Sequence, residues 1–294
     1  MRYENQQPAE GINVTKVNPG VQFLKLLIAS IILVVLVVIV LQFVGGSLAK
    51  RVPFKYEKQL TENMDMSFLG TDNTSDEEIS IAATQMRNYL NDLAEQMAPS
   101  LDLPEDMSIY VHYNDDDVFN AFATIGGNLI FYKALLAKMP HENALAMVMA
   151  HEIAHIKHRD PIVGLGGGVA SMVAVSMVTG ASGVAERFLT HTTLVTGMQF
   201  TRDMETRADQ AALNAVNQLY GHVNGAGSLF EVMGTIKSDS DALPDWLERF
   251  ARTHPLSQDR VNAVRSMAIK NNWRETGELT PLPESFQSWL SAAP

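Results

Sequence analysis

The spacing richest in chemistry is the pentapeptide His151-Glu152-Ile153-Ala154-His155. Histidines at i and i+4 project from one helix face, so both imidazoles can reach a single zinc ion. Glu152, offset by one residue, brings a carboxylate beside the ion's open position, where it can take a proton from water. A solvated helix could carry two histidines by chance, but the preceding run Ala144-Leu145-Ala146-Met147-Val148-Met149-Ala150 is apolar and would bury this one. Buried His and Glu need partners. The chain has no cysteine, which excludes thiolate-held zinc, iron–sulfur clusters and thiol nucleophiles. Any metal must be held by His and carboxylate.

A catalytic zinc usually takes three protein ligands and keeps one position open. His158 is seven residues from His151, which on an unbroken helix is about 10 Å, too far for one ion. The HExxHxxGxxH pattern would need a Gly and a His where this chain has His158 and Pro161. His158 therefore reads as a helix C-terminal residue that suits the dipole. Glu205 is the better third ligand. It lies in the helical stretch from Phe200 to Leu213, and Asp209 follows it by one turn on the same face. Asp209 can accept the other N–H of a ligand imidazole and orient it. The expected metal is one Zn2+ per chain.

These residues need elements to hold them. The metal helix should run from about His141 to His158, with Pro140 in the first-turn slot that tolerates it. Met107 to Tyr113 alternates as a strand. Asn120 to Tyr132, with Gly126-Gly127 at its centre, reads as a hairpin. A short helix begins at Lys133. Upstream, Ser75-Asp76-Glu77-Glu78 reads as a capping box opening an amphipathic helix with Ile79, Ala82, Met86, Leu90, Leu93 and Met97 on one face. Helices are expected near Val223 to Lys237 and Ser257 to Lys270, with an acidic loop at 238–241 between them. The expected fold is α+β and mostly helical, a zincin-like domain with a small antiparallel sheet beside the metal helix.

The segments HEIAH (151–155), ETRAD (205–209), NAFATIGGNLIFY (120–132) and THPLSQDRV (253–261) together resemble the zinc metallopeptidase family of the HtpX heat-shock protease and the CAAX prenyl endopeptidases. The likeness runs from about Ile79 to Met267. It implies that His151, His155 and Glu205 are zinc ligands, Glu152 the general base, and Asp209 an outer orienting residue. It further implies that the strand at Asn120, Ala121 and Phe122 pairs with an extended substrate, and that His254 stabilises the oxyanion. Pro255 biases His254 toward an extended conformation at a loop-to-helix junction. The alternative for His254 is a surface loop residue. Arg260, on the following helix, could orient that helix or the substrate. Many members of the family have several spans, whereas this chain has one clear span.

That span is Val21 to Val44, in which residues 26–44 carry only Ser30 and Gln42 as polar side chains. About 20 apolar residues cross a bilayer as a helix. A cleavable signal is the other reading, with Ser47-Leu48-Ala49 as its site, but the apolar run is long and preceded by a tail. Lys and Arg counts on the two sides differ by one, which leaves the orientation undecided. The apolar, Gly-rich stretch 162–180 reads as a loop plus a buried or membrane-touching helix, with a second span as the alternative. The expected organisation is tail 1–20, anchor 21–44, linker 45–74, metallopeptidase domain 75–274 and tail 275–294, the last with Trp289 available to pin it.

Charge bounds the partners. The net charge is −11, which argues against nucleic-acid binding. Between Thr61 and Asn120 there are 14 acids against one base, Arg87. A solvated helix face accounts for these better than a funnel for basic substrates. The sequence thus points to a membrane-anchored zinc endopeptidase acting on unfolded or membrane-associated polypeptides in quality control or processing, at a membrane such as the bacterial inner membrane. A membrane-anchored client-binding or chaperone-like protein using the same groove is the contrasting class. Lipoprotein or prenyl-peptide processing would differ only in substrate.

Overall fold

The computed structural model describes residues 18–62, 81–179, 200–229, 250–251, 253–254 and 258–292. Asn18 caps the first helix, α1 (Pro19–Ala49), by accepting from the Gly20 and Val21 amides. Most of its apolar side chains from Val21 to Leu48 are exposed, with Val34, Val38 and Leu41 half-buried. Among the described residues it is the helix whose length and composition suit a membrane crossing. The region expected as a linker contains a second helix, α2 (Phe54–Glu62). Phe54 and Glu57 are buried, so the chain leaving α1 is tied to the domain rather than free of it.

Helix α3 (Ile81–Met97) follows, with Ala82, Met86, Leu90, Leu93 and Met97 buried as its periodicity predicts. The Ser75 capping box lies outside the described residues. Strands β1 (Tyr110–Asn114), β2 (Ala121–Thr124) and β3 (Asn128–Tyr132) form one sheet in the order β1-β3-β2. β2 and β3 pair antiparallel, Ala121 opposite Phe131. β1 pairs parallel to β3, Val111 opposite Leu129. The sheet is therefore mixed, not wholly antiparallel. Alternation in the sequence sets which face a strand buries, not which neighbour it takes. Here β2 crosses to the far edge, and fully buried β3 returns between the two. The hairpin turn requires its glycines: Gly126 and Gly127 have φ of 75° and 83°, and a Cβ on Gly127 would lie 1.9 Å from Ser108 O.

After the short α4 (Lys133–Leu136), helix α5 (Glu142–His158) forms the centre of the core, with Asn143 through Ile156 all buried. His141 caps it, its Nδ1 accepting from the Ala144 amide at 3.2 Å. Pro140 thus lies before the cap and not in the first turn. Arg159 ends α5 in the left-handed conformation, φ 64°. Helix α6 (Asp160–Thr179) begins at the next residue and is continuous. The loop expected at its start is absent, because Gly166 and Gly167 face α1 at close range instead of breaking the helix.

Helix α7 (Arg202–Tyr220), capped by Thr201, packs along α5. Residues 224–227 are turn rather than helix. Most of the helix expected there, and the acidic loop after it, lie outside the described residues. Helix α8 (Gln258–Lys270) packs on α7. The region expected as a tail ends in α9 (Phe286–Ala292) and belongs to the core. Phe286 and Leu290 are buried, and Phe286 meets Tyr89 edge-on at 5.8 Å. Trp289 also packs beside Tyr89. Apolar spacing over one short helix was too brief to reveal this packing.

Candidate active site

Helix α5 presents His151, Glu152 and His155 toward α7, which presents Glu205 and Asp209. All five are buried. His151 Nδ1 lies 3.0 Å from Asp209 Oδ1, and His155 Nδ1 lies 2.9 Å from Asp160 Oδ2. A carboxylate only accepts, so each Nδ1 carries the proton and each Nε2 offers its lone pair. The two Nε2 atoms face each other at 3.1 Å. Glu205 completes the cluster, Oε2 at 3.5 Å from His151 Nε2 and Oε1 at 3.4 Å from His155 Nε2.

Lone pairs facing one another at this range call for a shared cation. Tetrahedral ligands 2.0–2.1 Å from zinc stand roughly 3.3 Å apart, close to the observed separations. His151, His155, Glu205 and His254 each offer one donor atom, all within 4.8 Å of one another. The residues therefore fit a metal ion of the nitrogen- and oxygen-preferring kind. The same carboxylates also favour a second proton on these rings, the positive charge that a metal ion would replace. Burial alone would lower the His151 pKa, but its hydrogen bonds to Asp209 and Glu205 push it up to about 10. For His155, burial is likewise outweighed by Asp160 and Glu205. Burial would raise the Glu205 carboxyl, yet the charge of His254 and the bonds from three imidazoles hold it far below the usual range.

Arg260, on α8, is buried and forks onto Asp209, with Nε to Oδ2 and Nη2 to Oδ1 both at 2.7 Å. Its Nη1 is 2.6 Å from Glu205 Oε2. Of the two roles open to Arg260 in the sequence, orienting its own helix has a geometric counterpart, since it ties α8 to Asp209 and Glu205 of α7. The hydrogen bonds from Arg260 and His151 hold Asp209 ionised against the burial that would raise it.

His254 is buried, so the surface-loop alternative fails. Its Nδ1 lies 3.2 Å from Glu205 Oε1. Its Nε2 lies 3.2 Å from the Ala121 carbonyl oxygen and 3.5 Å from Glu152 Oε1. Glu152 Oε2 is buried and has no hydrogen-bond partner among the described residues. Beside these groups opens a cavity lined by Met147, Val148, Leu229 and Phe250. His158 ends α5 outside the cluster, where burial lowers its pKa.

The β2 edge refines the expected substrate strand. Asn120 O accepts from the Tyr132 amide and its own N–H donates to Val118 O, both at 3.1 Å, so its main chain is already used. Antiparallel alternation then gives Phe122 to β3 as well and turns Ala121 and Ala123 outward. Of Asn120, Ala121 and Phe122, only Ala121 turns its main-chain groups away from β3, its carbonyl toward His254 Nε2, and Ala123, not anticipated, joins it. Two other neighbours were missed. Asp160 was hidden because it opens an apolar helix, although a lone acid five residues after a candidate ligand was a usable signal. Phe200 stacks on His155 at 3.9 Å between centroids, and nothing in its local sequence announces that contact.

Comparison with known proteins adds an independent line. The model of peptidase family M48 matches residues 84–268. The mitochondrial metalloendopeptidase OMA1 of Schizosaccharomyces pombe is 30% identical over 191 residues, covering 62% of this chain and 55% of that protein. The beta-barrel assembly-enhancing protease of Escherichia coli is 25% identical over 209 residues, covering 62% of this chain and 39% of that protein. The chain thus spans about half or less of the length of these relatives. The family match takes in α3, the sheet, both metal-site helices and most of α8, and on that extent the chain belongs to peptidase family M48.

Proposed function

We propose that the chain is a membrane-anchored zinc metalloendopeptidase. The observation that carries this is the convergence of His151 Nε2, His155 Nε2 and the Glu205 carboxylate, with both Nδ1 atoms tied to buried carboxylates. In this reading His151, His155 and Glu205 hold one zinc ion. Bound there, zinc would polarise a scissile carbonyl and make an attacking water more acidic. Glu152 takes the proton of that water and delivers it to the leaving amine. Its unpartnered Oε2 leaves an acceptor free for this. Asp209 and Asp160 fix the two imidazoles, and Arg260 fixes Glu205 and Asp209. Ala121 and Ala123 offer main-chain groups to an extended substrate, so side-chain specificity is broad. His254 donates to the developing oxyanion.

The substrates would be unfolded or membrane-associated polypeptides, handled in quality control or processing, with the bilayer engaged through residues 21–44. A bacterial inner membrane is the proposed location. The names of the relatives, a metalloendopeptidase and an assembly-enhancing protease, support this class of role.

The test uses the full chain in detergent with casein as substrate. The wild type should cleave it in a chelator-sensitive way. Glu152→Gln should lose cleavage and keep about one zinc per chain, because the residue is a base and not a ligand. A variant that loses the metal would remove Glu152 from the base role. A metal-loaded wild type that binds casein without cutting it would favour the client-binding class.

A further inference from the structure

Helix α6 leaves the metal site and runs along α1, which is its main packing partner. The two helices are antiparallel: Gly46 faces Val163, Gly45 faces Gly166 and Ala170, and Gln42 faces Gly167. Their backbones nearly touch. A Cβ on Gly45 would lie 2.6 Å from both Ala170 Cβ and Gly166 O, and one on Gly166 would lie 2.8 Å from Gly45 O. Close approach through small residues is how helices associate in lipid, where no hydrophobic effect drives them together.

The register sets the depth. Moving up α6 from Gly166 matches moving back along α1 from Gly45. At a common rise of 1.5 Å per residue, Thr179 stands level with about residue 32, the middle of the apolar run. From Pro161 to Thr179 there is no charged side chain. Ser171 returns its hydroxyl to Gly167 O at 2.9 Å, which satisfies it within the helix. At the opposite end, Lys50 and Arg51 after α1 stand with Lys157, His158 and Arg159 before α6. Such basic residues flank membrane helices where they meet water. On α1 at these levels, Ile39 and Phe43 are exposed, at 59% and 79%.

We propose that α6 is embedded in the bilayer beside α1, the two forming an antiparallel hairpin whose polar end is the α5–α6 junction. The occupant of its outer face is the lipid acyl chain, as for α1. The first residue of α6, Asp160, also holds His155. The metal site therefore stands within a helical turn of the bilayer surface, and the favoured substrates are polypeptides whose cleavage point is held at that surface. This inference rests on the α1 anchor of the proposed function.

The cysteine-free chain allows a direct test. Gly168→Cys, Met172→Cys, Ile39→Cys and Asp116→Cys are each labelled with bimane. The full-length protein is reconstituted into phosphatidylcholine–phosphatidylglycerol vesicles carrying a nitroxide on the acyl chain. Gly168 and Met172, both half-buried, lie by helical periodicity on the side of α6 opposite the Val163–Gly166–Ala170 stripe, at the depth of Phe43 and Ile39. Their fluorescence should be lost to the same extent as at Ile39, while Asp116 stays bright. Quenching at Ile39 without quenching at Gly168 and Met172 would overturn the inference and leave the anchor intact. No quenching at any of the three would overturn the anchor as well. Separately, Gln42→Cys with Gly167→Cys should form a disulfide in membranes on mild oxidation. Failure to cross-link would overturn the antiparallel pairing.

Discussion

Asp160 accepts from His155 Nδ1 at 2.9 Å although the two residues belong to different helices. The chain achieves this by ending α5 at Arg159, whose left-handed conformation swings Asp160 back beneath the last turn. The second Asp160 oxygen takes Arg207 Nη2 at 3.2 Å. One carboxylate thus ties the metal helix, α6 and α7 together, and fixes which nitrogen of His155 faces the cluster.

Replacing Asp160 should therefore weaken the metal site without touching a ligand. Asp160→Ala is expected to lower zinc affinity about 10- to 100-fold, the usual effect of losing the partner of a ligand imidazole. Competition against a chromophoric chelator would measure it. Unchanged affinity would show that His155 is held by its stacking on Phe200 instead.

The choice of third ligand separates two mutants. Glu205→Ala should lose zinc and all cleavage, since both carboxylate oxygens approach the imidazole nitrogens. His158→Ala should keep metal and most activity, because it ends α5 apart from the four donors. The reverse outcome in metal analysis would make the site a three-histidine one.

How much of this was readable from residues alone follows a physical divide. HEIAH and ETRAD were legible because a helix fixes which side chains share a face. The hairpin was legible because two adjacent glycines leave few turn types. The parallel β1–β3 pairing was not, since strand order is decided by tertiary packing. Helix α2 escaped notice because six of its nine residues are polar and only Phe54, Glu57 and Thr61 are buried. Continuous α6 was misread because glycines lower helix propensity in water, and only its contact with α1 shows what they are for.

Glu57 couples that missed helix to the site. It accepts from the Gly126 amide at 3.2 Å and from Arg159 Nε at 2.6 Å, while Arg159 also donates to Val52 O at 2.7 Å. Burial pushes the Glu57 carboxyl above its usual range against these bonds. Glu57→Ala leaves the half-buried Arg159 guanidinium and the Gly126 amide without their partner, and is expected to cost about 1–3 kcal/mol. The double variant with Arg159→Ala should cost less than the sum, by roughly 1–3 kcal/mol of coupling. Denaturant unfolding of the four proteins in detergent would measure the cycle, and strict additivity would mean the pair is not coupled.

His254 decides how the chemistry is divided. Its Nε2 is shared between Ala121 O and Glu152 Oε1, at 3.2 and 3.5 Å, so it lies between the β2 edge and the proposed base. A substrate strand laid along that edge would bring its scissile carbonyl near this nitrogen, and an N–H there would stabilise negative charge on the carbonyl oxygen. The same ring reaches Glu205 Oε1 through Nδ1 at 3.2 Å, which also makes it a fourth candidate donor to the metal. The oxyanion role predicts that His254→Ala keeps one zinc per chain and a near-normal KM while kcat falls about 10²- to 10³-fold. A ligand role predicts weaker zinc binding, read by the same chelator competition. A variant with unchanged kcat and unchanged metal would leave His254 with the structural task of bridging Glu205 to the β2 edge.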